Sequence, residues 1–251
     1  MFRDPHGNVD IAETTALSAS YRLGDEWAPT LRLGFVGNNA PGAALDGTSI
    51  GNPLIGATYV DTRTNERFAL FGAATIPVGS GGGNRADPRA AKANAASIIA
   101  RPADEAIFEV NYATAIVGGG IAYVRNGFTA QAEASLSQSV RARGDKTPAG
   151  TDAFRTRATL GTHLAIFIGP HVSLGTDLQY QRWLSHPTMV VDDEIATLIM
   201  SIGVRLHVHI GNVSMHPGLA YTRGFDGMAL HGPMNITKQT NAIEIAVPVL
   251  F

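Results

Sequence analysis

Apolar and polar residues alternate with a period of two along much of the chain. Between Glu194 and Ile210 the even positions are apolar, whereas the odd positions include serine, glycine, arginine and histidine. The same sorting recurs from Phe128 to Arg143, from Phe154 to Ile168 and from Val172 to Leu184. A period of two belongs to a β-strand, whereas a helix repeats about every 3.6 residues. The pattern therefore predicts an all-β protein whose strands are apolar on one face and polar on the other.

The length of these segments favours a membrane barrel over a soluble sandwich. Soluble strands usually hold about 5 or 6 residues, whereas a tilted strand that crosses a bilayer needs about 9 to 11. A helical membrane protein is not expected, because the longest uncharged apolar run, Ala113 to Val124, contains three glycines. That run is also shorter than the roughly 20 residues of a membrane-spanning helix.

The predicted strands are joined alternately by short turns and by long polar loops. Short turns are predicted near Gly24, Thr64, Asn126, Gly169 and Gly211. Long connections are predicted at residues 38–52, 79–106, 144–152, 185–193 and 224–238. Outer-membrane barrels combine short periplasmic turns with longer extracellular loops, so this asymmetry again favours a membrane barrel.

The pattern gives about eleven strands, the first beginning near Ile11 and the last ending at Phe251. Bacterial single-chain barrels normally close with an even number of strands. We therefore predict one antiparallel transmembrane β-barrel domain over residues 1–251, with about eleven strands in this chain and about twelve in the intact protein. On this interpretation a first strand is missing, and Phe2 to Asn8 form an outside loop.

The longest predicted loop, residues 79–106, contains a helix signal. After a glycine-rich start at Gly79, Asp87 suits an N-cap and Pro88 suits the first helical position of an alanine-rich stretch. Two interpretations are open: a short helix that folds into or over the pore, and an ordinary outside loop.

The polar faces of the predicted strands carry charged side chains that would point into the lumen. The predicted lumen-lining residues are Arg22, Arg32, Glu133, Arg141, Arg143, Arg155, Arg157, His163, Asp177, Arg205, His207, His209, His216 and Glu244. Arginines and histidines dominate, and the three carboxylates in the same register could pair with them. The lumen is therefore either a salt-bridged plug or a basic pore that attracts anionic solutes.

Metal binding and catalysis have weaker support. His207, His209 and His216 have a spacing compatible with a metal site, but histidines that line a watery lumen are the simpler interpretation. We predict no metal and no other cofactor. A hydrolase would need a nucleophile such as Ser137 or Ser139 beside one of these histidines, and no recognisable catalytic motif surrounds them. We therefore do not predict an enzyme.

The overall composition adds two exclusions. The formal net charge of the 251 residues is −2, which gives no reason to expect a nucleic-acid partner. The chain has no cysteine, so disulfides and thiolate metal sites are excluded.

The last segment carries a resemblance to a known class of proteins. From Asn241 onwards, apolar residues share one face up to a terminal aromatic residue. These residues are Ile243, Ile245, Val247, Val249 and Phe251. The segment resembles the C-terminal strand by which Gram-negative outer-membrane proteins engage the barrel-assembly machinery. Together with the alternating segments, it makes the whole chain similar to outer-membrane β-barrels of the transporter or porin-like type.

This resemblance implies a location in the bacterial outer membrane, with outer-membrane lipid and the barrel-assembly machinery as partners. We expect a channel for the passive passage of small polar or anionic solutes. The alternative is a structural or surface-interaction barrel that transports nothing because charge pairs plug its lumen. A third hypothesis is an outer-membrane hydrolase.

Overall fold

The computed structural model describes residues 2–3, 9–39, 47–61, 66–100, 104–144, 153–185, 195–210, 213–226, 239–247 and 249–250. In chain order the strands are β1 (Phe2–Arg3), β2 (Val9–Ser20), β3 (Trp27–Asn39), β4 (Gly47–Ile50), β5 (Leu54–Asp61), β6 (Glu66–Thr75), β7 (Tyr112–Arg125), β8 (Phe128–Arg141), β9 (Phe154–Phe167), β10 (Val172–Trp183), β11 (Ala196–Leu206), β12 (Val208–Ile210), β13 (Val213–Met215), β14 (Gly218–Asp226), β15 (Gln239–Ala246) and β16 (Val249–Leu250). Two helices, α1 (Pro88–Ala100) and α2 (Glu105–Phe108), lie between β6 and β7.

Nearly all of these strands belong to one antiparallel sheet. Its order is β1-β2-β3-β5-β6-β7-β8-β9-β10-β11-β14-β15, and β4 also pairs with β3. A small second sheet, in the order β12-β13-β16, is formed by segments that adjoin β11, β14 and β15 along the chain. The main sheet thus consists of eleven long strands, the two-residue β1 and the four-residue β4. This confirms the predicted all-β antiparallel architecture and its strand count.

The register of the sheet sorts side chains onto two faces. Thr176 pairs with both Leu164 and Ile202, Ile202 pairs with Tyr221, and Tyr221 pairs with Ile243. Paired residues share a face, so this row of exposed side chains runs across five strands. We call this the outer face. A continuous apolar band on a sheet surface indicates an apolar environment around it.

Two of the predicted short turns have the backbone conformation that their residues favour. Asn126 and Gly127 join β7 to β8 with φ values of 51° and 77°, the backbone that a tight two-residue hairpin turn requires. Gly169, with a φ of 73°, lies in the short connection between β9 and β10. The predicted turns near Thr64 and Gly211 lie outside the described residues.

The helix signal in the longest loop is confirmed. α1 begins at Pro88, and Asp87 Oδ1 accepts a hydrogen bond from the backbone N–H of Arg89 at 3.0 Å. α1 contacts β2, β3 and β4 near one end of the strand order and β15 at the other end. The sheet is therefore curved around the helix. We call the face towards α1 and α2 the inner face.

The two ends of the curved sheet are not hydrogen-bonded to each other in the part of the chain that the structure describes. Phe2 and Arg3 pair with Asp10 and Val9 as β1, so the prediction of an outside loop is wrong for these two residues. Their backbone extends the sheet beside β2 instead. A twelfth full strand in the intact protein stays a prediction. Neither described helix has the length and apolar character needed to span a bilayer.

Candidate functional site

An acidic segment lies against the inner face at the end of the sheet where the long loops are. It consists of α2 and its flanking residues and contributes three buried carboxylates, Asp104, Glu105 and Glu109. Arg155 Nη1 on β9 lies 2.6 Å from Glu109 Oε1, and Arg157 on the same strand pairs with Glu105.

The third carboxylate pairs with a different strand of the sheet. Arg32 Nη2 on β3 lies 2.8 Å from Asp104 Oδ1. Because β5, β6, β7 and β8 separate β3 from β9 in the sheet, the acidic segment connects two distant walls of the inner face. The arrangement fills this part of the concave side with paired charges.

Aromatic rings contact the β9 arginines, and a hydroxyl contacts Glu109. The guanidinium carbon of Arg155 lies 4.3 Å from the ring centre of Tyr112, and that of Arg157 lies 5.3 Å from the ring centre of Trp183. Such cation–π contacts strengthen when water is excluded. Ser139 Oγ donates a hydrogen bond to Glu109 Oε2 at 3.5 Å. Arg155 and Arg157 are two residues apart on one strand, which places both on the inner face.

The electrostatics of Glu109 combine opposing effects. Burial raises the pKa of its carboxyl, while the charge of Arg155 and the hydrogen bonds from Arg155 and Ser139 act in the opposite direction. Desolvation is the largest of these effects. The ionised form that pairs with Arg155 is therefore held in an unfavourable environment.

The acidic segment is anchored on its other side by apolar packing. Ile107 and Phe108 are fully buried and belong to a small core with Val36 and Ala93. A Cβ atom added to Gly34 would lie 2.6 Å from Ile107 Cγ2 and 2.9 Å from the Phe108 ring. The absence of a side chain at Gly34 therefore forms the groove into which both apolar residues fit.

The connection between β6 and β7, which carries α1 and the acidic segment, is called the inserted loop. Polar contacts with the backbone fix both of its ends. Asn52 Nδ2 donates to the carbonyl oxygens of Glu109 at 3.0 Å and Tyr112 at 3.1 Å, and Asn52 Oδ1 accepts from the N–H of Gly79 at 2.9 Å. Arg143 Nη1 donates to the Gly79 carbonyl oxygen at 2.7 Å. These bonds hold the glycine-rich start of the loop next to the end of the acidic segment.

The other end of the inner face, where the short turns are, is open. A cleft of about 170 Å³ crosses β9, β10, β11, β14 and β15. Glycine and alanine residues in its wall leave room for it, and its charged lining consists of His163, Asp177, Arg205 and Glu244. His163 Nδ1 lies 2.6 Å from Asp177 Oδ1.

The predicted lumen residues thus divide between the two ends of the inner face. Arg32, Arg143, Arg155 and Arg157 contact the inserted loop or the acidic segment. Arg141 lies 5.8 Å from the ring centre of Tyr112. Glu133, beside Gly161, accepts a hydrogen bond from Gln131 at 3.4 Å. His163, Asp177, Arg205 and Glu244 line the cleft.

One predicted lumen residue, Arg22, lies at a turn. Arg22 follows the end of β2, its side chain is 67% exposed, and it pairs with Asp25 at 3.2 Å. Its Nε also donates to the Gly24 carbonyl oxygen at 3.1 Å. These local bonds hold Arg22 at the turn between β2 and β3, and its place in the lumen lining stays a prediction.

The three histidines gather near the short turns. The ring centres of His207 and His216 are 4.8 Å apart, and those of His209 and His216 are 6.2 Å apart. His207 Nε2 lies 2.9 Å from Ser173 Oγ. Among the described residues, no group of three or more histidine, aspartate or glutamate side chains is arranged to hold a metal ion.

The serines considered as nucleophiles have other partners. Ser137 Oγ donates to the Arg157 carbonyl oxygen at 3.4 Å, and Ser139 Oγ lies 2.9 Å from Thr114 Oγ1. Neither serine has a hydrogen bond to a histidine among those described.

The C-terminal residues of the predicted assembly signal are exposed as far as they are described. Ile243, Ile245 and Val247 project from the outer face. The side chain of Val249 and the whole of Phe251 lie outside the described residues.

Sequence reasoning missed the carboxylates that pair with the arginines. It sought partners on the strands, whereas Asp104, Glu105 and Glu109 belong to the inserted loop. A signal was available, because these three carboxylates flank the apolar pair Ile107 and Phe108 where the predicted loop 79–106 meets the next strand. Large apolar side chains are usually buried, so such a pair indicates that the segment packs against another part of the protein.

Comparison with known proteins supports the fold. The chain is similar to the crystal structure of an outer membrane channel from Pseudomonas putida F1, with a TM-score of 0.53 and 14% sequence identity. The match covers 94% of this chain and 83% of that one. No protein-family model and no curated protein sequence matches the chain. At this identity the likeness establishes the architecture, so the chain has the fold of an outer-membrane β-barrel protein.

Proposed function

We propose that the protein lies in the bacterial outer membrane and forms a passive channel for small polar or anionic solutes. The observation that carries this proposal is the contrast between the two faces of the sheet. Exposed apolar side chains form the outer face, whereas the inner face bears a charged cleft. A barrel in lipid needs an apolar exterior, and a water-filled interior needs a polar wall.

The cleft supports passage of solutes at one end of the barrel. Its wall combines small side chains, which leave room for water, with the exposed guanidinium of Arg205. A fixed positive charge beside a solute path raises the local concentration of anions. The similar fold of a channel from another bacterium agrees with this function.

A direct test is the current through the refolded chain in a planar lipid bilayer. We expect a conducting protein whose reversal potential, under a potassium chloride gradient, moves towards that of a cation-selective pore in Arg205→Ser. The matched control is Arg182→Ser, which removes the same charge from β10 on the face that bears Leu174 and Leu178. Equal shifts in both variants would contradict a role for the cleft.

The second candidate is a barrel that does not transport. It is favoured by the acidic segment, whose ion pairs with Arg32, Arg155 and Arg157 fill the other end of the inner face. Inserted protein without measurable current would support this candidate and reject the channel.

A further inference from the structure

The β9 arginines have donor capacity that their present partners do not use. Arg155 and Arg157 are each about nine-tenths buried, and each is paired with a glutamate through its Nη1 atom. The Nε atoms of both side chains are buried and have no hydrogen-bond partner among the described residues. A guanidinium carries five N–H donors in a planar fork that suits the two oxygens of a carboxylate.

The carboxylates now bound to these arginines come from a separate segment rather than from the barrel wall. The other contacts of that segment include the packing of Ile107 and Phe108 at Gly34, on the opposite wall. The apolar anchor therefore lies on β3, together with the Asp104–Arg32 pair, whereas the contacts of Glu105 and Glu109 lie on β9. The two contacts with β9 can therefore exchange while those with β3 stay in place.

Exchange of one carboxylate for another keeps the buried guanidinium groups paired, so the cost that remains is that of releasing Glu105 and Glu109 from their partners. Removing a single partner leaves an uncompensated charge in a site without water. A solute that brings its own carboxylate keeps Arg155 and Arg157 paired throughout.

We propose that Arg155 and Arg157 form a binding site for the carboxylate group of a permeating solute, which displaces Glu105 and Glu109 as internal ligands. This inference rests on the proposed channel function and names the solute class. Tyr112 and Trp183 keep the two guanidinium groups in position. The ion pairs of the inserted loop then obstruct the lumen. Carboxylate solutes displace these pairs more readily than chloride or neutral solutes do.

The test compares succinate with succinamide, its uncharged amide analogue, on the refolded full chain. In potassium chloride we expect succinate, and not succinamide, to modulate the current in a concentration-dependent way. In Glu109→Gln the apparent Kd for succinate should fall about tenfold, because an internal competitor is lost. Adding Arg155→Gln to this variant should abolish the succinate effect.

The matched control is Glu133→Gln, which makes the same change on β8 beside Gly161. Its succinate affinity should equal that of the unmodified chain. Equal responses to succinate and succinamide, or unchanged affinity in Glu109→Gln, would overturn the proposal. Circular dichroism checks that every variant retains its β-structure.

A second readout separates this site from the channel function. Succinate should raise the Tm of the detergent-solubilised protein, more in Glu109→Gln than in Glu133→Gln, since a ligand stabilises the state that binds it. A rise in Tm without any current would support the site and reject the channel. A current with no succinate effect on either readout would reject the site and leave the channel standing.

Discussion

Two contacts between a basic and an acidic side chain on the inner face have the same separation and very different surroundings. Arg155 and Glu109 lie 2.6 Å apart with side chains 10% and 6% exposed. His163 and Asp177 also lie 2.6 Å apart, but their side chains are 32% and 56% exposed. The distance between the two side-chain atoms therefore does not show how much such a contact contributes to stability. Water screens the second pair, whereas each charge of the first depends on its partner.

This difference separates the two ends of the barrel into a packed region and an open one. In the packed region the inserted loop replaces water with arginine–carboxylate pairs, aromatic rings and the Ile107–Phe108 core. In the open region, small residues such as Gly175 and Gly203 leave a cleft. Substitutions of paired residues in the packed region should therefore lower stability more than those in the open region.

The largest effect is expected for breaking one buried pair. Arg157→Met should lower the free energy of unfolding by about 3 to 5 kcal/mol, because Glu105 remains buried without its partner. Adding Glu105→Gln should recover part of this loss by removing the second charge. Denaturant unfolding in detergent micelles measures both variants. A loss no larger than that of a surface pair would remove the contrast between the regions.

A smaller effect is expected for substitutions on the two faces of β11 at the open end. Ile202 is 64% exposed on the outer face, and its neighbour Ser201 lines the cleft. Ile202→Arg should destabilise the inserted barrel by about 2 to 4 kcal/mol if that face meets lipid near the midplane. Ser201→Arg should leave insertion into liposomes largely unchanged. Similar insertion yields for both variants would contradict the assignment of the faces.

The smallest effect is expected for the exposed pair of the open region. A double-mutant cycle with His163→Ala and Asp177→Ala should give a coupling energy between about 0 and 1 kcal/mol. Added salt should reduce it further, because exposed charges are screened. The measurement is again unfolding in micelles. A coupling as large as that expected for Arg157 and Glu105 would show that the cleft excludes water.

Local sequence determined the strands, their faces and the start of α1. Alternation along Phe154 to Ile168 predicted that Arg155 and Arg157 share a face, because successive side chains of a strand point to opposite sides. Asn126–Gly127 specified a tight turn, and Asp87–Pro88 specified a helix start. These features depend on a few neighbouring residues, so no tertiary information was needed.

The partners of the arginines were decided only by the tertiary structure. Glu109 and Arg155 are 46 residues apart in the chain, and no periodic pattern connects a loop with a strand at that separation. Pairing depends on where the loop docks, which in turn depends on the groove at Gly34. The alternation of side chains along a strand therefore allows its two faces to be predicted from the sequence. The residues that fill the interior of the barrel cannot be predicted in this way, because they depend on the fit between segments that only folding brings together.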